Sequence, residues 1–350
     1  MLLGLRGTGK TVLLARLAEI AEGHDALTAQ LEAPETGDMP VQLLPLLQTV
    51  LRKISVREAA REAVHKAYRA LRSFSVKFKL EPTGATLSVD PVPGVADSGR
   101  LDLDLSDVME AVGRAAQADG RAVVIMVDEV QYLSSEELSA LITALHRTTQ
   151  KTLPVLFVGA GLPQVAGLAG DAKSYAERLF VYHDIGPLPE DDAAKAIREP
   201  VEKEGERIEP AAVAMIVERT EGYPYFLQEW GYQSWNAANA SPISKADVDV
   251  ATDQALRRLD AGFFKVRLDR LTPKEREYVH AMADLPGDGP YRSGDVAEHL
   301  GEPATRMGPR RHAIIRKGMI YSPAHGDIAF TVPGFKDYLH RVKAMADASQ

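Results

Sequence analysis

The chain has 350 residues, 45% of them hydrophobic and 26% charged, with a formal net charge of −8 and no cysteine. At about 150 residues per domain this makes two or three domains of ordinary globular composition, which excludes a fibrous or mainly disordered chain. The missing cysteine excludes disulfides, thiolate zinc sites and cysteine nucleophiles, and the acidic balance argues against a uniformly basic nucleic-acid coat while leaving room for a local basic patch.

No apolar run approaches the roughly 18 residues that a membrane helix needs. The first residues lack the basic start, long apolar core and small-residue cleavage site of a signal peptide. The expectation is a cytoplasmic protein with no membrane partner. In chain order, Val12, Leu13, Leu14, Leu17 and Ile20 keep helical spacing, so a helix opens near Lys10 and stops at Gly23. A strand over 27–31 follows. Residues 52–72 form an amphipathic helix, and Arg52 to Lys79 holds nine Lys or Arg against two Glu, a net of +7. Its cations read as a solvated helix face or as a second phosphate-contacting surface. Alternation over 75–80 and 85–89 about Glu81-Pro82-Thr83-Gly84 predicts a β-hairpin, and 91–99 a Pro/Gly-rich loop.

A helix over 105–119 is expected to be capped by Ser106. Val123 to Val127 is a continuous apolar run ending in Asp128-Glu129, which suits a buried parallel strand. A helix over 135–149, capped by Ser134 or Ser135, and buried strands over 154–159 and 181–185 complete an alternation that predicts an α/β fold with a parallel sheet. After Pro187 the strand signal stops. Helices over 190–204, 210–219, 223–238 and 245–261 predict an all-helical domain. Thr272-Pro273-Lys274-Glu275 is a capping box with proline at the first helical position. It opens a segment of three short helices, a β-hairpin and a last helix.

Two motifs carry chemistry. Gly4 to Thr11 matches G-x-x-x-x-G-K-T, the spacing with which a loop wraps a phosphate in backbone N–H groups. Gly4, Gly7 and Gly9 allow close approach and positive φ. Arg6, Thr8 and Val12 are the remaining candidates for nucleotide contact. The helix opening at Lys10 aims its N-terminus at the anion. Lys10 is expected to reach the β- and γ-phosphates of ATP, and Thr11 to ligate Mg²⁺. The second motif is the apolar strand ending in Asp128-Glu129: Asp128 is expected to hold Mg²⁺ through water, and Glu129 to polarise the attacking water. Two features depart from the usual pattern. Only Met1, Leu2 and Leu3 precede Gly4, against about five residues in a typical strand. Residues 156–164 also lack the Asn or Thr that often senses the γ-phosphate.

With the Walker pair, Val158-Gly-Ala-Gly-Leu-Pro163, Ser174-Tyr-Ala-Glu-Arg178-Leu-Phe180 and Gly222-Tyr-Pro-Tyr-Phe-Leu-Gln228 on the page, the chain resembles the AAA+/STAND P-loop ATPases, most of all the archaeal-ATPase and origin-recognition-like branch. The resemblance spans nearly the whole chain. It implies a three-layer αβα nucleotide domain over 1–186 with the basic helix and hairpin as an insertion at about 52–100, a helical lid over 187–262, and a winged helix over 270–350. It further implies an arginine finger at Arg178 and nucleotide contact by Gly222 and Pro224. Each has a plainer reading: Arg178 as a surface ion-pair partner, Gly222-Tyr-Pro as an ordinary helix start. Tyr223, Tyr225, Phe226 and Trp230 read as lid core. A sensor-2 arginine is not seen.

In the last segment Ser293 is expected to cap a helix to Leu300. A helix over 303–317 carries Arg306, Arg310, Arg311, Arg316 and Lys317 with no acid, and Tyr321 to Phe330 makes a hairpin. This is winged-helix order, and the second helix is the candidate duplex-DNA reader. Yet 272–345 holds eleven basic and nine acidic residues, a net of only +2, and such a module also serves as a protein-interaction surface. The expected function is an ATP-hydrolysing switch coupled to a DNA- or protein-binding module; a finger at Arg178 would need a homo-oligomer, which the sequence itself does not show. The alternative is a non-catalytic nucleotide- or DNA-binding regulator.

Overall fold

The computed structural model describes residues 1–34, 38–54, 58–80 and 90–348. The chain divides into two compact units, Met1–Gly4 with Lys10–Asp184 and Leu5–Gly9 with Ile185–Gln350.

The first unit is built on a five-stranded parallel sheet. Its elements are β1 (Leu2–Leu3), α1 (Lys10–Gly23), β2 (Leu27–Glu32), α2 (Met39–Lys53), α3 (Glu58–Lys77), α4 (Leu101–Asp119), β3 (Val123–Asp128), α5 (Ser135–Gln150), β4 (Val155–Gly161), α6 (Val165–Ala172), α7 (Ala176–Leu179) and β5 (His183–Asp184). The strand order is β2-β3-β4-β1-β5. Every residue of β3 is buried, which is why it reads as an unbroken apolar run. Although β1 has two residues, it is a central strand: Leu2 pairs with Ala160 and His183, and Leu3 with Gly161 and Asp184. The Met1 ammonium donates to the Val181 carbonyl at 2.8 Å, and the Met1 carbonyl accepts from His183 N–H at 2.9 Å.

Several expectations fail here for identifiable reasons. The basic helix is in two pieces, since α2 ends at Lys53 and α3 starts at Glu58. Its continuation through Ser75 to Lys77 replaces the first strand of the expected hairpin. The alternation of Val76, Phe78 and Leu80 does not make a strand here, and Phe78 instead packs one helical turn back on Phe74, with ring centroids 4.5 Å apart. Ser75 sits within the helix by donating its hydroxyl to the Leu71 carbonyl at 2.9 Å. The rest of that hairpin, 81–89, lies outside the described residues.

Helix α4 starts at Leu101, not at Ser106. Asp104 fixes the entry by accepting from the N–H groups of Ser98 and Gly99 at 3.0 and 2.8 Å. Ser106 is buried inside the helix and donates to the Asp102 carbonyl. For α5 the cap is Ser134, in a reciprocal capping box with Glu137. The last strand, β5, is two exposed residues rather than a buried run. It stands at the sheet edge, and Val181 just before it is 70% exposed.

The second unit holds α8 (Glu190–Lys203), α9 (Pro210–Thr220), α10 (Pro224–Ala237) and α11 (Lys245–Arg258). A π-helical stretch, Leu259–Phe264, leads into α12 (Lys265–Asp269) and α13 (Pro273–Asp284). Then come β6 (Tyr291–Arg292), α14 (Ser293–His299), α15 (Ala304–Arg316), β7 (Ile320–Tyr321), β8 (Asp327–Phe330) and α16 (Phe335–Ala348). The Thr272–Glu275 capping box and Pro273 at the first helical position form as the sequence predicts. One core joins the helical segment to the C-terminal one, with Phe226, Trp230, Phe264, Phe335 and Tyr338 all buried. Phe264 stacks on Tyr338 with centroids 5.2 Å apart. Strands β6, β8 and β7 make a small antiparallel sheet in that order, and β6 was not foreseen. Ser293 is the first residue of α14 and not its cap. Its hydroxyl accepts from Arg311 at 3.1 Å instead.

Candidate nucleotide site

In the first unit, three chain segments meet at the carboxyl ends of the strands. Lys10 opens α1 and is only 6% exposed, its ammonium donating to the Gly4 carbonyl at 2.9 Å. A lysine is buried only with partners for its charge. The Thr11 hydroxyl donates to the Asp128 Oδ2 at 2.5 Å, so two residues 117 apart in sequence share one point. Asp128 is buried at the end of β3, and its Oδ1 accepts from the Glu129 N–H at 2.8 Å. Glu129 leaves the strand with φ of 52°, a left-handed turn that starts the 3₁₀ stretch Val130–Tyr132. Its carboxylate accepts a hydrogen bond from the Gln131 side-chain amide.

One hydroxyl and one carboxylate are hard oxygen donors of the kind Mg²⁺ takes when waters and substrate phosphates fill its other positions. Among the described residues no group of three or more His, Asp or Glu side chains gathers to hold an ion alone. Thr11 and Asp128 fit the role expected of them.

The segment Leu5–Gly9 packs with the second unit. Gly7 and Gly9 take φ of +89° and +87°. A Cβ on Gly7 would lie 3.0 Å from Tyr225 and 3.1 Å from the Tyr223 ring, whereas one on Gly9 would meet nothing within 4 Å. Glycine at 7 therefore serves both conformation and close approach, and at 9 conformation alone. Thr8 is buried and donates to the Leu5 carbonyl at 2.9 Å. The Arg6 carbonyl accepts from the Tyr223 hydroxyl, the Arg6 N–H donates to the Thr331 carbonyl at 3.2 Å, and the Gly7 carbonyl accepts from Tyr225 N–H at 3.2 Å. Burial raises the Tyr223 hydroxyl's pKa. Arg267 lies over the Phe263 ring at 3.8 Å, and burial, with the Arg6 charge nearby, brings it down to about 10. A cavity of about 280 Å³ is lined by Leu5, Thr8, Ile185, Pro187, Tyr223 and Phe226 among others.

The remaining candidates fall apart into groups. Val12 is 69% exposed on α1. Arg178 is exposed on the short α7. Gly222 has φ of +69°, and a Cβ there would stand 2.4 Å from the Leu188 carbonyl oxygen, so the position excludes any side chain. Pro224 is the first residue of α10 and lines a different cavity from the one beside Leu5 and Thr8. Tyr223, Phe226 and Trp230 are core, while Tyr225 stacks on Phe263 with centroids 4.4 Å apart.

Of the α15 cations, Arg310 grips Glu302 through both Nη atoms at 3.1 and 3.2 Å. Arg311 bonds Ser293, and Lys317 bonds Glu275 at 2.6 Å and the Arg270 carbonyl at 3.0 Å. Arg306 and Arg316 are exposed. Sequence reasoning missed Gln131, Arg267 and Thr331. Only Gln131 left a trace, as an amide two residues after the carboxylate pair.

Residues 1–158 match the family model described as AAA ATPase domain, and residues 261–339 match one described as a domain of unknown function. No curated protein matches the chain. Among solved structures, a Walker-type ATPase of Pyrococcus abyssi is similar at 17% identity, with 97% of this chain and 90% of that one covered and a TM-score of 0.57. Cdc6p of Pyrobaculum aerophilum aligns at 14% identity over 97% and 86%, TM-score 0.45. A RuvB variant of Thermotoga maritima aligns at 15% over 97% and 86%, TM-score 0.44. Residues 1–158 are thus similar to an AAA ATPase domain, and the first unit has an α/β P-loop NTPase fold.

Proposed function

We propose that this protein is an ATP-binding and ATP-hydrolysing switch that couples nucleotide state to a C-terminal winged-helix module. The observation that carries the reading is the Thr11–Asp128 bond, because it joins the phosphate-loop helix to the carboxylate strand at the point where Mg²⁺ chemistry needs both. When bound, Mg²⁺ supplies neutralisation of charge on the phosphate oxygens. The chain's own residues do the rest. Gly4 to Gly9 present backbone N–H groups to the phosphates, and Lys10 carries the charge that meets the β- and γ-oxygens. Glu129 accepts the proton of the attacking water.

Lys10→Ala tests the binding half. Removing the phosphates' charge partner is expected to weaken ATP binding by 10-fold or more, about 1.4 kcal/mol per tenfold. Unchanged affinity by calorimetry would remove the assignment.

In the second unit we read α13 to α16 with the β6-β8-β7 sheet as the winged helix, and α15 as its reading helix. A protein partner is favoured over duplex DNA, since Arg310, Arg311 and Lys317 already have partners within the fold. Arg306 and Arg316 remain as the phosphate-facing candidates. Titration with duplex DNA at low salt separates the two: binding that falls steeply with salt restores the DNA reading. Arg178, exposed on α7 next to the edge strand β5, is read as a finger offered to a second copy of the chain.

A further inference from the structure

The Walker B carboxylate Glu129 is not left to solvent. Its Oε2 accepts from the Gln131 amide nitrogen, and the Gln131 amide oxygen accepts from the Leu162 N–H at 3.0 Å. One side chain thus fastens the catalytic carboxylate to the first residue beyond β4. Both ends of the Gln131 amide are engaged, so it cannot rotate without breaking a bond at the Leu162 end. The backbone around it is fitted to this arrangement. A Cβ on Gly161 would lie 2.7 Å from the Gln131 Oε1 and 2.7 Å from a Val165 methyl, so glycine is required at 161 for the amide to reach Leu162. The left-handed turn at Glu129 brings residues 129 and 131 to the same side. The end of β4, residues 156–164, carries no Asn or Thr. The side-chain amide in that stretch is Gln164, the residue just before α6.

We propose that Gln131 is the positioning residue for Glu129, holding its carboxylate in the orientation that accepts the proton of the attacking water and linking that orientation to the end of β4. This rests on the reading of Glu129 given above. A general base contributes roughly 10²–10⁴-fold to a rate. A base whose carboxylate swings free keeps its proton affinity but loses part of that factor through misplacement. Gln131 does not itself touch the phosphates, so nucleotide affinity is not expected to depend on it.

Gln131→Met keeps the length of the side chain and removes both hydrogen bonds. The expected result is a kcat lower by about 10- to 100-fold, with KM for ATP and directly measured ATP affinity within about twofold of the parent. A merely structural role would instead lower the melting temperature and the fraction of active sites, leaving kcat per active site alone. Gly161→Ala, which pushes on the same amide, is expected to give the same split between kcat and KM. The decisive comparison places Gln131→Met in the Glu129→Gln background, where it should cost nothing further because its only route to the chemistry is gone. Independent, additive losses in the double variant overturn the inference. So does parent-like turnover in Gln131→Met when Glu129→Gln is inactive. Parent-like turnover in Glu129→Gln itself would overturn the reading of the site, and is distinguishable because Gln131→Met is then irrelevant to it.

Discussion

The phosphate-loop end of the first unit and the basic helix α15 of the second both looked like ligand sites in the sequence, yet they differ in where their polar groups go. In the first, residues far apart in sequence converge: Thr11 meets Asp128, and Glu129 is led through Gln131 to Leu162, while Lys10 turns back to Gly4 of its own loop. In the second, the cations turn to acids of their own fold, Arg310 to Glu302 and Lys317 to Glu275. A bidentate guanidinium–carboxylate pair is among the stronger hydrogen-bonded arrangements, and a phosphate would have to displace it. Charge of one sign on a helix is therefore weak evidence of a ligand until its local partners are known.

The sharpest way to break the comparison is at Arg178, the cation that neither region uses. Arginine fingers are worth about 10³–10⁵ in rate. Arg178→Ala is expected to bind ATP as the parent does and to lose most turnover. Mixing it with Lys10→Ala should restore part of the activity, since each variant supplies what the other lacks. Concentration-independent turnover, with Arg178→Ala as active as the parent, would leave Arg178 a surface residue.

A smaller effect is expected at Gly222. Any side chain there meets the Leu188 carbonyl in a left-handed backbone, a combination of strain and overlap that costs about 2–3 kcal/mol. Gly222→Ala should lower the denaturation midpoint of the second unit. An unchanged midpoint would mean that the Leu188 turn yields easily.

Smallest of all are the changes on α15. Arg310→Ala should cost about 1–2 kcal/mol of stability, because the partly buried Glu302 loses its partner. It should leave any salt dependence of DNA binding unmoved. Arg306→Ala and Arg316→Ala should do the reverse, each flattening the slope by about one phosphate contact without a measurable change in stability. A salt slope that responds to Arg310 would erase the distinction between the two regions.

What the sequence shows of this molecule follows the same line. The helix start at Lys10, the buried strand β3 ending at Asp128, and the Thr272 capping box are local patterns whose backbone consequences are fixed by a few adjacent residues, and all three elements form where expected. The misread elements depended on distant partners. Ser106 looked like a cap because Asp104's bonds to Ser98 and Gly99 cannot be read from periodicity. Residues 75–77 looked like a strand because Val76, Phe78 and Leu80 alternate, and the packing of Phe78 on Phe74 cannot be read from that alternation. Only three residues precede Gly4, yet two of them, Leu2 and Leu3, pair on both edges, a placement that their number alone does not reveal. Gln131 went unremarked because its role exists only once β3 and β4 lie side by side.

The central claim, that Glu129 drives hydrolysis at a site assembled by Lys10, Thr11 and Asp128, is tested most directly by measuring ATP affinity and turnover together in Glu129→Gln. The account predicts affinity within about threefold of the parent and turnover lower by about 100-fold or more. Turnover equal to the parent's would contradict it.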